Sequence, residues 1–123
     1  MTAAQRGRVG EELAAAFLQK NGYQILARNF HCRGGELDIV AAKDEILAFV
    51  EVRTRKKGAM VSPAESVTAA KRKKVITAAY AFLEVHPELQ QIMQPRFDLF
   101  LVEAEGVEPA LWQSDYLCDA FQL

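Results

Sequence analysis

The fold is decided by two nearby segments of a 123-residue chain, Gly35-Glu36-Leu37-Asp38-Ile39-Val40 and Phe49-Val50-Glu51-Val52-Arg53. Both segments alternate apolar and charged residues, which is the two-residue period of a β-strand with one buried face. Residues 36–42 and 46–53 are therefore predicted strands, and the short link at residues 43–45 predicts an antiparallel hairpin. Both strands carry acidic residues, which a buried strand normally lacks.

The register of this hairpin follows from its hydrophobic pattern. A four-residue loop at residues 43–46 places Asp38 directly opposite Glu51. The same register places Glu36 opposite Arg53. A slip of one residue would turn charged side chains toward the apolar face. In the favoured register that face is apolar throughout, with Leu37, Ile39, Val50 and Val52.

The facing acids, Asp38 and Glu51, require something to offset their repulsion. Two carboxylates about 5 Å apart repel by roughly 3 kcal/mol at an effective dielectric near 20. A cation between them, a shared proton or bulk water could each provide the offset. Oxygen ligands of this kind suit Mg²⁺ or Mn²⁺, which would also bind a phosphate and activate a water molecule. The alternative is a solvent-facing hairpin, in which Glu36 and Arg53 form an ordinary cross-strand pair.

The segments before the hairpin predict a helix and a strand. Residues 3–21 carry a helical apolar stripe that Gly22 ends. Glu11 lies at the border of this stripe and Glu12 points away from it, so Glu11 is the acid that could reach an interior site. Two solvated glutamates remain an equal alternative. Residues 23–29 are a predicted strand, and residues 30–35 a basic connection that ends in glycine.

The segments after the hairpin predict a second helix and a further strand. Ser62-Pro63 marks a helix start, and the helix runs to residue 84 or 85. Lys71 falls on its inward row, whereas Arg72 points outward. Residues 88–95 have no clear pattern, and residues 96–103 are a strongly apolar strand. The remaining tail carries enough apolar side chains to pack on the body of the domain.

Composition indicates an ordinary globular domain: 50% of the residues are hydrophobic and 25% are charged. The length fits one domain, residues 1–123. No apolar run is long enough to cross a membrane, and the first residues lack the apolar core of a secretory signal. Cys32 and Cys118 belong to no metal-binding or redox motif. Two unpaired thiols predict a reducing, cytoplasmic location.

The net charge of −1 hides an uneven distribution along the chain. Residues 1–75 carry 14 basic and 8 acidic side chains, a balance of +6. Residues 76–123 carry one arginine and 8 acidic side chains, a balance of −7. This asymmetry is compatible with a polyanionic partner on one face. The predicted nucleic-acid contacts are Arg55, Lys56, Lys57, Lys71, Arg72 and Lys74; a solvated helix face and loop are the alternative.

An ordered set of motifs extends over nearly the whole chain: Gly7-x-x-Gly10-Glu11, Asn21-Gly22-Tyr23, Arg28-Asn29, Gly35 to Val40, Phe49 to Arg55, Lys71-Arg72, Arg96-Phe97-Asp98 and Ala120-Phe121. Together these motifs resemble the YraN-like family of small bacterial proteins. That family is similar to the PD-(D/E)XK, or restriction-endonuclease-like, superfamily and to archaeal Holliday-junction resolvases. The resemblance implies a single restriction-endonuclease-like α/β domain with an αβββαβ core, in which helices flank a mixed central sheet.

The resemblance also implies roles for individual residues. Asp38 and Glu51 would be catalytic ligands of Mg²⁺ or Mn²⁺. Glu11 would be a further acid at the same site, and Glu36 would lie at its rim. Arg53 stands where the superfamily usually has lysine. An arginine stays charged, so Arg53 could stabilise a phosphate but could not act as a general base.

Two functional hypotheses follow. The first is a Mg²⁺- or Mn²⁺-dependent nuclease-like protein that hydrolyses a phosphodiester in DNA, including branched or structured DNA, and in which Lys71 could supply an ammonium group. Resolvases of branched DNA use two active sites, so this substrate would fit a homodimer. The second is a non-catalytic nucleic-acid-binding module that retains the nuclease fold, which the arginine at position 53 favours. A protein-interaction adaptor is a third reading.

Overall fold

A computed structural model of the chain describes residues 1–58 and 67–122. Its helices are α1 (Ala3–Lys20), α2 (Ala69–Val85) and α3 (Pro87–Ile92), with a 3₁₀ turn at Pro109–Leu111. Its strands are β1 (Gln24–Cys32), β2 (Gly35–Lys43), β3 (Ile46–Lys56), β4 (Gln94–Ala104) and β5 (Gln113–Phe121). In this described part of the chain, no helix combines the length and apolarity that a membrane span requires.

The five strands form one mixed sheet in the order β1-β2-β3-β4-β5. Neighbouring strands are antiparallel except β3 and β4, which are parallel because the chain crosses through α2 between them. The predicted αβββαβ order and the mixed sheet are confirmed. The sequence did not predict β5, which pairs with β4 at the edge of the sheet.

Helices cover the two faces of the sheet and enclose two apolar layers. In β3, Phe49 faces α2 and Val50 faces α1, as the strand period requires. The layer under α2 contains Leu37, Val40, Leu47, Phe49, Val75, Ala78, Phe82, Phe97 and Leu99. The layer under α1 contains Ala14, Leu18, Ile39, Ala41, Ala48, Val50, Phe100, Val102 and Trp112.

The placement of Leu37 differs from the prediction. The hydrophobic pattern assigned Leu37 to the face of Ile39, but Leu37 packs in the layer under α2 together with Val40. The strand period is interrupted at Asp38, across from Asn29, which has a left-handed backbone with φ of 52°. The alternation of a strand predicts the face on which a side chain lies only where the pleat is regular. The pleat is interrupted at Asp38, so the wrong prediction for Leu37 lies beside the candidate site.

Several element boundaries also differ from the predictions. The predicted connection at residues 30–35 was wrong, because β1 continues to Cys32 and only Arg33 and Gly34 form the turn. The turn of the β2–β3 hairpin is also shorter than predicted: Lys43 pairs with Ile46, leaving a two-residue loop in which Asp44 has φ of 54°. Strand β3 runs three residues beyond the predicted end.

The second helix starts later than predicted. Residues 67 and 68 are not helical, and α2 begins at Ala69 with the Thr68 hydroxyl accepting a hydrogen bond from the Lys71 N–H. The predicted start at Ser62-Pro63 lies outside the described residues. Residues 88–95, which had no clear pattern, form most of α3 and the beginning of β4.

Two glycines let the helices approach the sheet closely. A Cβ atom at Gly10 would collide with the Thr54 side chain of β3. A Cβ atom at Gly35 would lie 2.5 Å from the carbonyl oxygen of Lys74 and 2.8 Å from the amide nitrogen of Ala78, both backbone atoms of α2. Each glycine directly precedes a glutamate, so a close contact of each helix with the sheet lies beside a candidate acid.

Candidate functional site

The site lies where β2 and β3 separate. Backbone pairing between the two strands ends at Ile39 and Val50. Just beyond this point Asp38 accepts a hydrogen bond from the Val52 N–H, 2.8 Å from its Oδ2 atom. The Glu51 side chain is next to Asp38 and only 2% exposed. The predicted register holds over the paired residues, and it brings the two acids together at the end of the ladder.

Burial makes this acid pair hold a proton at neutral pH. Burial raises the pKa of Glu51 to about 8, and the negative charge of Asp38 adds to this rise. Burial also raises the pKa of Asp38, although the hydrogen bond from Val52 opposes the shift. Because Glu51 is buried, the alternative of a solvent-facing hairpin is wrong for this residue.

Lys71 reaches the acid pair from α2. Its Nζ atom lies 2.7 Å from Glu36 Oε1 and 3.4 Å from Glu51 Oε1. Burial alone would lower the pKa of Lys71, but its hydrogen bond with Glu36 and the nearby acids raise it above the ordinary value. Lys71 is therefore a fixed ammonium group between a rim carboxylate and a buried one.

Glu36 does not form the predicted pair with Arg53. The β2–β3 ladder has ended before these positions, and the Glu36 carboxylate turns to Lys71 instead. The hydrogen bond and charge of Lys71 lower the pKa of Glu36. Glu36 thus lies at the rim of the site, where it holds the ammonium group of Lys71.

Glu11 approaches the pair from the opposite side, on α1. Its pKa is raised by partial burial and by the charge of Asp38, so its carboxylate lies within the electrostatic reach of the pair. Glu12 is exposed and forms an ion pair of 2.8 Å with Arg28. The structure therefore separates the two glutamates of α1 as the helical pattern predicted.

One oxygen of the pair has the character of a ligand atom. Glu51 Oε2 is buried and has no hydrogen-bond partner. A buried carboxylate oxygen normally has one, so an unpaired oxygen calls for a missing partner. In the described ranges, no three or more His, Cys, Asp or Glu side chains converge as a metal-binding group. Two carboxylates are nevertheless sufficient for Mg²⁺, which retains water and phosphate oxygens as its other ligands.

The predicted basic residues are dispersed around the molecule. Lys71 lies at the acid pair, and Lys74 is exposed nearby on α2. Lys57 forms an ion pair of 3.2 Å with Glu105. Arg72 was predicted to point outward, but it is half-buried with its guanidinium over the ring of Phe121.

Arg53, Arg55 and Lys56 follow one another along the end of β3. Arg55 and Lys56 were predicted to lie in a loop after the strand, but β3 continues through Lys56. Arg53 lines a groove beside α1 together with Glu11. Arg55 lines a different groove, which contains Glu103 and Asp115. Lys56 is exposed.

A second buried polar cluster was not predicted as such. Asp98 is fully buried and accepts hydrogen bonds from Arg96 at 2.8 Å, from the Tyr116 hydroxyl and from the Asp119 N–H at 2.9 Å. Arg96 also donates to the Tyr23 hydroxyl, at 2.7 Å. The sequence signal was present: residues two apart on a strand share a face, so Arg96 and Asp98 are neighbours.

The fold and the site together define a small α/β protein with a buried acidic centre between two helices. The chain belongs to the family described as "Uncharacterised protein family UPF0102", whose pattern matches residues 10–102. The matched range includes Glu11, Glu36, Asp38, Glu51 and Lys71. The family-level resemblance to YraN-like proteins is therefore confirmed.

Related bacterial proteins match over most of their length. The UPF0102 protein of Clostridium perfringens strain 13 is 38% identical over 117 residues, which cover 95% of this chain and 93% of the relative. The UPF0102 protein of Chloroherpeton thalassium is 45% identical and covers 78% and 73% of the two chains. That of Synechococcus sp. strain JA-3-3Ab is 43% identical and covers 95% and 91%.

Proposed function

We propose that this protein is a Mg²⁺- or Mn²⁺-dependent nuclease of the restriction-endonuclease-like class that hydrolyses DNA, including branched DNA. The observation that carries the proposal is the buried Asp38–Glu51 pair, which has an unpartnered carboxylate oxygen and an ammonium group beside it. A buried carboxylate with a purely structural role seldom has an oxygen that lacks a hydrogen-bond donor. Burial, a like charge and a specific cation together are typical of functional carboxylates.

The strand order supports the same class. A helix, an antiparallel meander, a crossover helix and a strand parallel to β3 form the αβββαβ core that the resemblance implied. The acids lie on the two central strands of this core, and one helix contributes from each face. A fold can support several functions, so the proposal depends on the site more than on this order.

The residues present fit a divalent cation. Asp38 and Glu51 would hold it, and Glu11 would join them from α1. The ion would supply a Lewis acid that polarises the phosphate and lowers the pKa of an attacking water molecule. The cation would also replace the proton that the acid pair holds at neutral pH, because a metal ligand must be deprotonated.

Lys71 and Arg53 then have different tasks. Lys71 is held as an ammonium group by Glu36, since its pKa is raised, so it serves as a positive charge and not as a general base. A preorganised charge beside the reacting phosphate stabilises the transition state. Lys71 thus provides, from α2, the ammonium group that the superfamily places on the strand. Arg53 lies toward α1 and can bind a phosphate there.

Cleavage of nicked, branched and single-stranded DNA in the presence of Mn²⁺ tests the proposal. We expect cleavage by the wild type, and none in EDTA. Asp38→Asn should reduce the rate at least 100-fold, since it removes a ligand charge at constant size. Lys71→Met should reduce kcat by roughly 10²–10³-fold, the usual effect of losing one transition-state contact.

Asp44→Asn is the matched control for the cleavage assay. It makes the same chemical change in the exposed turn of the same hairpin, where the backbone φ of 54° suits asparagine. The control should cleave at the wild-type rate. Equal rates for Asp38→Asn and Asp44→Asn would show that the pair is not catalytic.

A non-catalytic nucleic-acid-binding module is the second candidate function. The observation that favours it is Arg53 at the position of the motif lysine, together with the engagement of Lys71 by Glu36. In that case DNA binding would be salt-sensitive, unaffected by EDTA and unchanged in Asp38→Asn. The nuclease proposal expects metal-dependent turnover instead, so one set of assays separates the two functions.

A further inference from the structure

A groove between α1 and β3 adjoins the acid pair. It encloses about 310 Å³ and is lined by Gly7, Arg8 and Glu11 of α1 and by Arg53 and Thr54 of β3. Its volume is at the lower end of the usual range for ligand sites, roughly 300–1,000 Å³. Val52 connects the groove to the site, because it lines the groove and its N–H donates a hydrogen bond of 2.8 Å to Asp38.

Two guanidinium groups line this groove, and Arg8 interacts with Glu11 through its charge alone. Among the described residues, neither Arg8 nor Arg53 forms an ion pair or a side-chain hydrogen bond. Only Glu11 offers a negative charge there, and it is needed at the acid pair. The groove therefore has a cationic surface with unused donors, which matches an anion with several acceptor oxygens.

Other basic grooves lack the combination of excess positive charge and a position beside the acid pair. The groove at Arg55 also contains Glu103 and Asp115, so acids outnumber the cation. A third groove is also basic, with Arg6, Lys56 and Lys57 against Glu105, but none of its lining residues belongs to the site. Excess positive charge and proximity to the acid pair thus occur together at Arg8 and Arg53.

The shape of the groove also favours a chain of phosphates. At Gly7 a Cβ atom would meet nothing within 4 Å, so the α1 wall is open at this point. An enclosed pocket would suit a free phosphate, whereas an open groove can accept a backbone that continues at both ends. Arginine binds phosphate oxygens in a bidentate manner, and such contacts give affinity without reading sequence.

We propose that the groove between α1 and β3 binds the phosphodiester backbone of a nucleic-acid strand, with Arg8 and Arg53 contacting a phosphate adjacent to the one that lies at Asp38 and Glu51. The inference rests on the proposed function for the substrate class, and it adds Arg8 as a binding residue. The nucleic-acid strand then runs from the groove past Glu11 to the acid pair. Lys71 lies at the far side of that pair, on α2.

Binding of a short single-stranded DNA, measured by fluorescence anisotropy in EDTA, tests this inference without cleavage. We expect Arg8→Gln and Arg53→Gln each to weaken binding about 3- to 10-fold. Each should also reduce the dependence of log K on log salt by about 0.7, the contribution of one phosphate contact on a single strand. Lys20→Gln removes a positive charge from the same helix about 18 Å away, and should bind like the wild type.

A second pair of variants probes the space of the groove. Gly7→Glu places a negative charge at the open position, and Gly7→Gln places a neutral side chain of the same size there. Both replace glycine by a better helix former, so neither should unfold α1. We expect Gly7→Glu to bind DNA at least 5-fold more weakly than Gly7→Gln.

The outcomes separate the groove from the proposed chemistry. Weaker binding of Arg8→Gln and Gly7→Glu supports the groove even if no DNA is ever cleaved, because the assay contains no metal. Binding equal to that of Lys20→Gln and Gly7→Gln overturns the groove even if the protein cleaves DNA. Thermal unfolding of each variant identifies any loss of binding that comes from loss of the fold.

Discussion

Glu51 is the residue in which the chemistry of the site is concentrated. It is 2% exposed, one of its oxygens has no hydrogen-bond partner, and its neighbours are an acid, Asp38, and a cation, Lys71. An apolar side chain of similar size would stabilise the fold more, since a buried polar oxygen without a hydrogen bond costs free energy. The site therefore lowers the stability of the domain in return for a carboxylate that is ready to bind a cation.

The raised pKa of Glu51 predicts that the metal-free protein loses stability as the pH rises. The folded-state pKa of about 8 exceeds the ordinary value of 4.5. Between these two values the folded protein holds a proton that the unfolded chain has released, so the free energy of unfolding falls with increasing pH. From pH 6 to pH 9 the decrease is on the order of 2–3 kcal/mol. Urea unfolding in EDTA at several pH values measures it.

Glu51→Gln is the control for this pH dependence. It has nearly the same shape and cannot ionise, so its stability should change little over the interval from pH 6 to pH 9. The wild type and the variant should differ most at high pH, where the variant is the more stable protein. A wild-type stability that is flat or rises over this interval would contradict a protonated Glu51.

Glycines allow the helices to pack so closely on the sheet that helix side chains reach the candidate site. At Gly35, α2 approaches β2 so closely that its backbone atoms would lie within 2.8 Å of a Cβ atom. The helix interior offers no flexible group that could move aside there. This contact holds Lys71 within 2.7 Å of Glu36 and 3.4 Å of Glu51.

Gly35→Ala should therefore displace α2 and destabilise the domain. A single added methyl group against backbone is expected to lower the free energy of unfolding by about 1–3 kcal/mol. It should also weaken catalysis beyond this loss, because Lys71 moves away from Glu51. Urea unfolding measures the loss of stability. The DNA-cleavage rate, measured where both proteins are fully folded, measures the loss of catalysis.

Gly7→Ala serves as the matched control for Gly35→Ala. A Cβ atom at Gly7 meets nothing within 4 Å, and the residue lies inside α1. This substitution should leave the fold intact and stabilise it by up to about 1 kcal/mol. If Gly35→Ala were equally harmless, the close approach of α2 would not determine the position of Lys71.

The elements that the sequence predicts well are those with strong local signals. Helix α1, the β2–β3 hairpin and β4 follow from periodicity and from Gly22. Strand β5 was missed because only one of its nine residues is buried, so its pattern has no apolar face to read. The start of α2 was placed too early, because the Ser62-Pro63 signal resembles that of Thr68, which is the observed N-cap.

Part of the candidate site could also be predicted from local sequence patterns. The register that places Asp38 beside Glu51 follows from the hydrophobic pattern, and the inward row of α2 predicts Lys71 near the sheet. The pairing of Glu36 with Lys71 could not be predicted, because it depends on the end of the β2–β3 ladder and on the approach of α2 at Gly35. These are tertiary features that no local pattern contains.

The whole molecule combines a basic and an acidic part around this site. The balance of +6 belongs to residues 1–75, which supply α1, the hairpin and the first turns of α2. Residues 76–123 supply most of the acidic side chains near β4 and β5. Some of these side chains neutralise cations, as Glu105 does for Lys57. A polyanion would therefore be drawn toward α1 and α2 and repelled from the far edge of the sheet.

Metal binding should change the stability of the entire domain. An ion that binds the folded state alone stabilises it by about 2.7 kcal/mol at 100 times its Kd. For a domain of this size, 1 kcal/mol raises Tm by about 3–6 °C, so saturating Mn²⁺ should raise Tm by roughly 8–16 °C. Thermal unfolding followed by circular dichroism measures this shift, and it needs no DNA and no activity.

Two variants show whether the bound ion that causes this thermal shift lies at the acid pair. Asp38→Asn should lose the shift, because it removes one of the two ligands at the acid pair. Asp44→Asn should retain it, because the turn carboxylate is exposed and unconnected to the pair. Equal shifts in both variants would place the ion elsewhere on the molecule, and the unpartnered oxygen of Glu51 would then have a purely structural origin. A shift that depends on Asp38 in the absence of any cleavage would leave a metal site without a nuclease, which the DNA-cleavage assay alone could not reveal.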